Sequence, residues 1–292
     1  MRLGSVLGVL VTIGLSGAVP GAQAQFTLLV AVVDSASGSP VETLTPADVR
    51  VTEDGLAANV VKIEPVVRSV KVQLLIDNGA GLGRNIVELR NGVRRLIEAL
   101  PPDVDTTIVT TAPQPRFLVR ATKNRDELLK GVDRLAPDSG AGRFTESLTE
   151  AAERAAKDKD TFTVIITAGS TSGDAQIIDS QMQRAFDQVQ AKPMIVHVLL
   201  YAGERSSSGG VAQVELGQRA AQITGGRYEF INSMSRYSTL LPELGSEVAK
   251  QLAGGTRQFR LSVQRPEGKR GDLGKVSIST PSSKKLSGLW RE

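Results

Sequence analysis

The sequence predicts an α/β protein with a doubly wound, mostly parallel sheet, joined to a small β module made from its two terminal segments. Between residues 69 and 252, short runs rich in Val, Ile, Leu and Thr alternate with stretches whose apolar residues recur every three or four positions. This alternation is typical of parallel strands that helices cover on both faces. The flanking segments, 25–68 and 253–292, carry strand patterns without helices between them. Segments of about forty residues bury little apolar surface alone, so we expect these two to pair.

Composition excludes several classes of protein. The 292 residues are 40% hydrophobic and 23% charged, which is the balance of an ordinary globular chain. The formal net charge of +4 is spread over the whole length, and no run of five basic residues occurs. We therefore expect no nucleic-acid partner. The absence of cysteine excludes thiol catalysis and disulfides, and one histidine, His197, excludes a multi-histidine metal site.

Residues 1–24 have the pattern of a signal peptide. Arg2 precedes an apolar stretch over 6–15, then Pro20 interrupts it, and Ala22-Gln23-Ala24 has the small-x-small pattern of a cleavage site. An uncleaved membrane anchor is the alternative, but a spanning helix needs about 20 apolar residues. We expect cleavage after Ala24 and a secreted or periplasmic protein with no stable membrane insertion.

The N-terminal segment, 25–68, predicts strands. Residues 26–33 form a β run that ends in a turn cluster over 34–40. Thr45-Pro46-Ala47-Asp48 is typical of a short helical start, with Thr as the cap and Pro at the first position. Residues 49–53 alternate like a half-buried strand, and Asp54-Gly55 turns the chain back.

The middle zone, 69–252, contains the α/β pattern. Its predicted strands are 70–76, 106–111, 161–167, 194–200 and 228–231. Asn85 with Glu88, and Asn124 with Glu127, have the spacing of capping pairs at helix starts. A third helix is expected over 146–156, and Gly225 is typical of a helix stop. In the last segment, 253–292, residues 259–263 and 276–279 are predicted strands.

The first strand of the middle zone leads into Asp77-Asn78-Gly79-Ala80-Gly81-Leu82-Gly83. In an open α/β sheet, ligands bind outside the carboxyl ends of the strands, so this loop is the expected site. A dinucleotide-binding pattern starts at Gly79, but Arg84 replaces its third glycine, and no Gly-Lys-Ser/Thr follows. Nucleotide binding is therefore not favoured.

Residues 72–77, followed by a small-residue loop and an amphipathic helix, resemble the first strand of the von Willebrand factor A (VWFA) domain, a Rossmann-like fold. That family has Asp-x-Ser-x-Ser at this point, which opens a metal-ion-dependent adhesion site. Residues 163–169 resemble its later strand, which usually ends in Asp-Gly, and Thr145 resembles its metal-side threonine. The leader over 30–55, with 223–226 and 259–266, is similar to the bacterial exported VWFA-related (Acidobacteria-type) family. The resemblance covers nearly all of the chain after residue 24.

The resemblance implies a divalent cation held by two serines, a threonine and two carboxylates. Here Gly79 and Gly81 stand at the serine positions and Ala168 at the second acid, so only Asp77 and Thr145 remain. Because Mg²⁺ needs near-octahedral oxygen coordination, we expect a degenerate site without metal or cofactor. The weaker alternative is Mg²⁺ held with help from other loops, from Ser139, Ser170, Thr171 or Asp174.

Two of these side chains have simpler interpretations. Asp77 could cap backbone N–H groups of the glycine loop, and Thr145 could be the N-cap of its helix. His197 lies inside an apolar run and is expected to be a buried, hydrogen-bonded strand residue. Because no Gly-x-Ser-x-Gly elbow occurs, a hydrolase triad has no sequence support.

The predicted function is an exported, non-enzymatic module that binds a protein partner through three loops, 77–84, 139–145 and 169–174. The alternatives are a protein that adheres through a divalent cation, and a structural component of the cell envelope. The predicted partner-binding residues are Asp77, Asn78, Gly79, Gly81, Arg84, Thr145 and Ser170.

Overall fold

The computed structural model describes residues 24–37, 39–82, 85–158, 161–173, 179–192, 194–202, 208–255 and 257–291. The predicted signal peptide (except Ala24), Arg84 and Asp174 lie outside the described residues. Among the described residues, no helix combines the length and the apolar character that crossing a membrane requires.

The described chain forms two six-stranded sheets and the helices that cover one of them. In chain order the strands are β1 (Gln25–Asp34), β2 (Arg50–Glu53), β3 (Leu56–Val67), β4 (Ser69–Ile76), β5 (Asp105–Thr110), β6 (Arg116–Thr122), β7 (Thr161–Ser170), β8 (Met194–Tyr201), β9 (Tyr228–Ile231), β10 (Arg257–Gln264), β11 (Val276–Ser279) and β12 (Lys284–Arg291). The helices are α1 (Ile86–Ala99), α2 (Arg125–Asp133), α3 (Phe144–Lys157), α4 (Asp179–Gln190), α5 (Ser208–Thr224) and α6 (Tyr237–Gly255).

The central sheet confirms the predicted doubly wound α/β class. Its strand order is β6-β5-β4-β7-β8-β9, and every neighbouring pair is parallel except β5 with β6. The order reverses between β4 and β7, which is the topological switch point. All five strands predicted for this zone are present, but β6 was missed. It is an edge strand in which only Val119 is buried, so it lacks an apolar period.

Side chains of the central sheet alternate between two apolar layers. Leu74 and Ile76 of β4 pack with α1, α2 and α6, whereas Leu75 packs with α3, α4 and α5. Helices therefore cover both faces of the sheet. This arrangement explains why the strands are nearly continuous runs of apolar residues.

The second sheet confirms that the two terminal segments pair. Its order is β11-β2-β3-β10-β1-β12, and all of its pairs are antiparallel. β1 lies between β10 and β12, so the first strand of the described chain is held by two strands near its end. A separate apolar cluster, which includes Val30, Val51 and Leu261, forms the core of this β module.

A buried ion pair joins the two segments of the β module. The guanidinium of Arg265 donates to both carboxylate oxygens of Glu53, at 3.0 and 2.5 Å. Arg265 also donates to the backbone carbonyls of Gly271 and Asp272, and Glu53 accepts from the N–H of Gly274. Hydrogen bonding to Arg265 lowers the pKa of Glu53, against the opposing effect of burial.

The predicted helix ends are confirmed in part. Asn124 accepts a hydrogen bond from the N–H of Glu127, as its spacing indicates. Asn85 is the N-cap residue of α1, as predicted, but its side chain makes no cap hydrogen bond, because its backbone (φ −101°, ψ 11°) is not in the extended conformation typical of a cap. Gly225 has a φ of +70° directly after α5, which confirms the predicted stop. Asp48 accepts from the N–H of Thr45, as expected.

Candidate functional site

The candidate site lies at the carboxyl end of β4, where the order of the central sheet reverses. Asp77 follows directly after β4, and its N–H donates to the carbonyl of Ala168 on the neighbouring β7, at 2.9 Å. The ladder between the two strands ends at the pair Ile76 and Ala168. The loop of Asp77 and the end of β7 therefore meet where ligands bind in sheets of this topology.

The carboxylate of Asp77 is buried and hydrogen-bonded on both oxygens. Oδ1 accepts from the N–H of Gly79 at 2.8 Å, and Oδ2 accepts from both the N–H and the hydroxyl of Ser170, at 3.0 and 3.1 Å. Only 6% of Asp77 is exposed. Hydrogen bonds to the charged form offset the cost of removing a carboxylate from water. The expectation that Asp77 caps the glycine loop is confirmed.

Glycines enclose this carboxylate from two loops. A Cβ atom at Gly142 would lie 2.4 Å from Oδ1 of Asp77. At Gly79, a Cβ would lie 2.8 Å from both the carbonyl oxygen of Gly140 and the nitrogen of Gly142. Distances this short leave no room for a side chain without moving backbone. The loops 77–82 and 139–143 thus close over Asp77 because both have glycine where they meet.

Asn78 joins three loops at this end of the sheet. Its side-chain nitrogen donates to the carbonyl of Ala136 at 3.0 Å, and its side-chain oxygen accepts from the N–H of Ala112 at 3.2 Å. Its own carbonyl accepts from the N–H of Asp138 at 2.7 Å. A single buried amide therefore fixes the loop after β5 and the loop before α3 against the loop of Asp77.

Most of the residues predicted for the site come together, but beneath the surface. Asp77, Asn78, Gly79, Thr145 and Ser170 are all buried. Gly81 is half-buried, and its Cβ would lie 2.4 Å from the hydroxyl of Ser170. Arg84 lies outside the described residues. The partner-binding role of this set stays a prediction.

Thr145 does not cap its helix. α3 begins at Phe144 with Arg143 as the N-cap, so Thr145 is the second helical residue, and the prediction that it is the N-cap was wrong. The helix begins two residues earlier than expected because Phe144 is buried and adds to the apolar face that packs on the sheet. The carbonyl of Thr145 accepts from the hydroxyl of Thr149 at 2.7 Å.

The exposed residues of this end, apart from Ser139, were not singled out by sequence patterns. Ala80, Ser139, Ala141 and Arg143 are exposed, and they belong to the two loops that close over Asp77. They are small or flexible residues of irregular loops, and such loops have no periodic sequence pattern from which exposure could be predicted. Only the packing of the loops against each other shows which of their residues face solvent.

Comparisons with known proteins bear on the fold. A solved von Willebrand factor type A structure from Catenulispora acidiphila is similar at a TM-score of 0.50 and 12% identity, over 93% of this chain and 74% of that chain. The chain has the von Willebrand factor A fold. BatB from Bacteroides thetaiotaomicron is similar at a TM-score of 0.47 and 15% identity, over 62% of this chain and 100% of that chain. The vWF domain of the type V pili tip protein Mfa5 from Porphyromonas gingivalis is similar at a TM-score of 0.47 and 10% identity, over 71% of this chain and 99% of that chain. No protein-family model and no curated protein matches the sequence.

The VWFA fold family implies a divalent cation above this strand end, and the side chains here fit it poorly. Gly79, Gly81 and Ala168 supply no side-chain oxygen, and the hydroxyl of Ser170 is directed at Asp77. The described residues contain no group of three or more His, Cys, Asp or Glu side chains suited to a metal. Mg²⁺ requires about six oxygens in near-ideal geometry. One enclosed carboxylate with one or two hydroxyls falls well short of that set.

Tyr237 contacts the end of β7 next to the candidate site, and no sequence pattern pointed to it. The hydroxyl of Tyr237, at the start of α6, donates to the carbonyl of Gly169 at 2.5 Å and lies 3.3 Å from that of Leu199. The side chain is fully buried. Burial, and secondarily the charge of Asp77, raises the pKa of Tyr237 well above its ordinary value. This phenol therefore stays protonated and ties α6 to the ends of β7 and β8.

His197 is a buried residue of β8, as expected. Its Nδ1 accepts from the N–H of Arg227 at 3.0 Å. This hydrogen bond assigns the proton of a neutral imidazole to Nε2. His197 pairs with Ile166 in the middle of the ladder between β7 and β8, away from the strand ends where Asp77 lies.

Proposed function

We propose that this chain is an exported, non-enzymatic protein-interaction module, which binds a protein partner through the loops around Asp77 without a bound metal. We call these loops, at residues 77–84, 139–145 and 169–174, the top face. A von Willebrand factor A fold is a domain type that mediates interactions between proteins. The observation that carries the proposal is the enclosure of the Asp77 carboxylate by Gly79, Gly142 and Ser170.

Because of this enclosure, we expect the top face to be a rigid surface made largely of backbone. The carboxylate of Asp77 and the amide of Asn78 hold the loops together from inside. Small exposed residues, Ala80 and Ala141, let the backbone of a partner approach closely, and Arg143 adds a charged contact. A surface that is ordered before binding loses little conformational entropy when a partner binds.

The hydrogen bonds to the Asp77 carboxylate favour binding of a partner without a metal. In a cation-bridged site, the Asp77 carboxylate would have to turn oxygen atoms toward the ion, yet both oxygens accept hydrogen bonds from loop donors. Restoring the missing ligands as serines at positions 79 and 81 is not simple, because a Cβ at either position meets other atoms at 2.8 Å or less.

The side chains also support a non-enzymatic role. A hydrolytic mechanism needs a nucleophile, a base and an oxyanion-stabilising group that converge on one point. The Asp77 carboxylate is enclosed, and the imidazole of His197 is buried in mid-strand. The proposed export depends on the signal-peptide pattern of residues 1–24.

Calorimetric titration tests the metal-free part. We expect purified protein to show no heat of binding at micromolar Mg²⁺ or Mn²⁺, and Asp77→Asn to behave in the same way. Micromolar binding that Asp77→Asn abolishes would overturn this part and favour adhesion through a divalent cation.

Partner capture tests the binding surface. Immobilised protein would be exposed to envelope and extracellular fractions of the source cells, with and without EDTA. We expect one specific protein to be retained in both conditions and lost with Arg143→Glu. The matched control is Asp103→Lys, which reverses an exposed charge before β5, at the opposite end of the sheet. Retention of nothing, or equal loss with both variants, would contradict the proposal and favour a structural envelope role.

A further inference from the structure

A second surface of the central sheet has the properties of a docking site. β6 is one edge of this sheet and pairs only with β5, and no other strand of the described chain lies along its outer side. The backbone N–H and C=O groups on that side are therefore available to a further strand. β6 is also the one strand of this sheet that runs antiparallel to its neighbour.

An exposed aromatic ring lies on this edge between charged groups. Phe117 of β6 is 44% exposed, which is unusual for a phenylalanine. The guanidinium carbon of Arg120 lies 4.9 Å from the centre of its ring, and that of Arg154 lies 5.2 Å away. Cations at these distances are attracted to the face of the ring.

The charge of this surface is mainly positive. Arg116 and Arg120 are exposed and form no hydrogen bond or ion pair through their side chains within the described residues. Arg154 of α3 donates to Oε1 of Gln73 at 3.1 Å and lies 3.4 Å from the carboxylate of Glu150. The neighbouring Glu153 forms an ion pair with Arg184. We call Arg116, Phe117, Arg120 and Arg154 the β6 edge patch. The carboxylate of Glu150 lies beside Arg154, and that of Glu127 accepts from the hydroxyl of Thr122 at the end of β6.

We propose that the β6 edge patch binds an extended acidic segment of a protein, which pairs with β6 as an additional antiparallel or parallel strand. Backbone hydrogen bonds to the free edge supply affinity in this mode of recognition, and side-chain contacts supply specificity. Alternate side chains of an added strand lie over one face of the sheet, where acidic groups meet Arg120. An apolar group of the segment would cover the exposed edge of Phe117.

Protection of the edge by charge is the competing explanation for these arginines. Proteins often place charged residues on edge strands to prevent aggregation. A purely protective edge gains nothing from an exposed phenylalanine, and charges of one sign repel like-charged strands while attracting acidic ones. A nucleic acid is the other anionic occupant, but both guanidinium groups already lie over the ring that would stack on a base.

This proposal goes beyond the proposed function because the β6 edge patch does not include the top-face loops. Loss of binding at one surface need not affect the other. Arg143→Glu, which changes the top face, serves as the variant that separates the two. It is expected to leave binding at the β6 edge patch unchanged.

Fluorescence anisotropy with two defined peptides tests the proposal. The probe is an eight-residue peptide of alternating Glu and Val, and its counterpart has Lys in place of Glu. We expect the acidic peptide to bind the purified full chain, the basic one not to bind, and salt to weaken binding. Arg116→Glu with Arg120→Glu should weaken binding by about tenfold, since each contact of an exposed charge contributes modestly and reversal adds repulsion.

Further variants keep the test decisive. Phe117→Ser removes the ring without changing charge and should also weaken binding. Arg219→Glu is the matched control, since Arg219 is likewise exposed and lies 4.3 Å from the ring centre of Phe186 on a different part of the surface. It should bind as the unaltered protein does. Far-UV circular dichroism confirms that each variant is folded.

Hydrogen exchange locates the bound strand. We expect the acidic peptide to slow exchange of amides in β6 but not in β9, the opposite edge of the same sheet. No binding of the acidic peptide, equal binding of the basic one, or binding that survives both β6 variants would each overturn the proposal. So would displacement by an oligothymidine that binds more tightly than the peptide, because that would assign the patch to nucleic acid.

Discussion

The carboxylate of Glu53 and the guanidinium of Arg265, which are 212 positions apart in the chain, form a two-pronged ion pair inside the β module. Glu53 ends β2, and Arg265 follows β10, so the pair joins the two segments, 25–68 and 253–292, that form the β module. Both side chains are almost fully buried. Their contacts with Gly271, Asp272 and Gly274 extend the same junction to the loop before β11.

Glu53→Ala should destabilise the protein strongly, because it leaves the charge of Arg265 buried without its counter-ion. We expect a much larger fall in the urea midpoint than with Lys62→Ala, which removes an exposed ion pair with Glu64. The double variant Glu53→Leu with Arg265→Met should lose less stability than Glu53→Ala, since no charge then remains buried. Equal effects of Glu53→Ala and Lys62→Ala would show that the buried pair contributes no more than a surface pair.

Stability should fall in acid as the Asp48 carboxylate is protonated. Asp48 forms an ion pair with Lys284 and accepts hydrogen bonds from Thr45, and these contacts lower its pKa from 3.8 to about 2. A carboxyl group with a lowered pKa stabilises the folded state fully above its unfolded pKa, and this contribution disappears as pH falls through the folded pKa. Urea midpoints measured from pH 5 to pH 2 should therefore decrease, mainly between about pH 4 and pH 2.

Asp48→Asn is the variant that isolates this effect. It should lower stability at neutral pH and depend less on pH over the same acidic range. The lowered pKa of Glu53 contributes to the acid dependence that remains. If Asp48→Asn kept the full acid dependence of the unaltered protein, the pairing of Asp48 with Lys284 would not be its source.

Gly142→Ala should disturb the top face. Because the added Cβ would lie 2.4 Å from Oδ1 of Asp77, either the carboxylate or the loop 139–143 must move. Overpacking of this kind costs about 1–3 kcal/mol. Hydrogen exchange of that loop should become faster, and urea unfolding should report the loss. Ala141→Gly, at an exposed neighbour, is the control and should change exchange only locally; unaltered exchange in Gly142→Ala would mean that the loop does not close on Asp77.

Tyr237→Phe should loosen the end of β7. The substitution removes the hydroxyl that donates to Gly169 and leaves a buried carbonyl without this donor. The expected loss in the free energy of unfolding is about 1–3 kcal/mol, measured by urea denaturation. Tyr201→Phe, at a half-buried tyrosine of β8, provides the comparison. A loss for Tyr237→Phe no greater than for Tyr201→Phe would rule out a special contribution from the Gly169 contact.

The fold class could be predicted because it depends on local patterns. Five central strands appeared as apolar runs, and Asn124 and Gly225 marked helix ends, since each of these signals lies within a few residues of the feature it reports. β6 was not predicted because an edge strand with one buried side chain has no periodic pattern of apolar residues. Asn85 was correctly predicted at the start of α1, but its backbone conformation leaves its side chain without a cap hydrogen bond.

The candidate site could likewise be predicted only in part from the sequence. Asp77 and its glycine loop were evident in sequence because a carboxylate and small residues follow directly on a strand. That Asn78 would join three loops, that Gly142 would close on Asp77, and that Arg143 would be exposed all depended on how distant segments pack.

Local side-chain periodicity therefore determined the elements and their class. The tertiary structure alone decided which donors reach the Asp77 carboxylate and which partner Glu53 finds 212 residues away. The physical reason is that hydrogen bonds and ion pairs act over a few ångströms of space, whatever the separation along the chain.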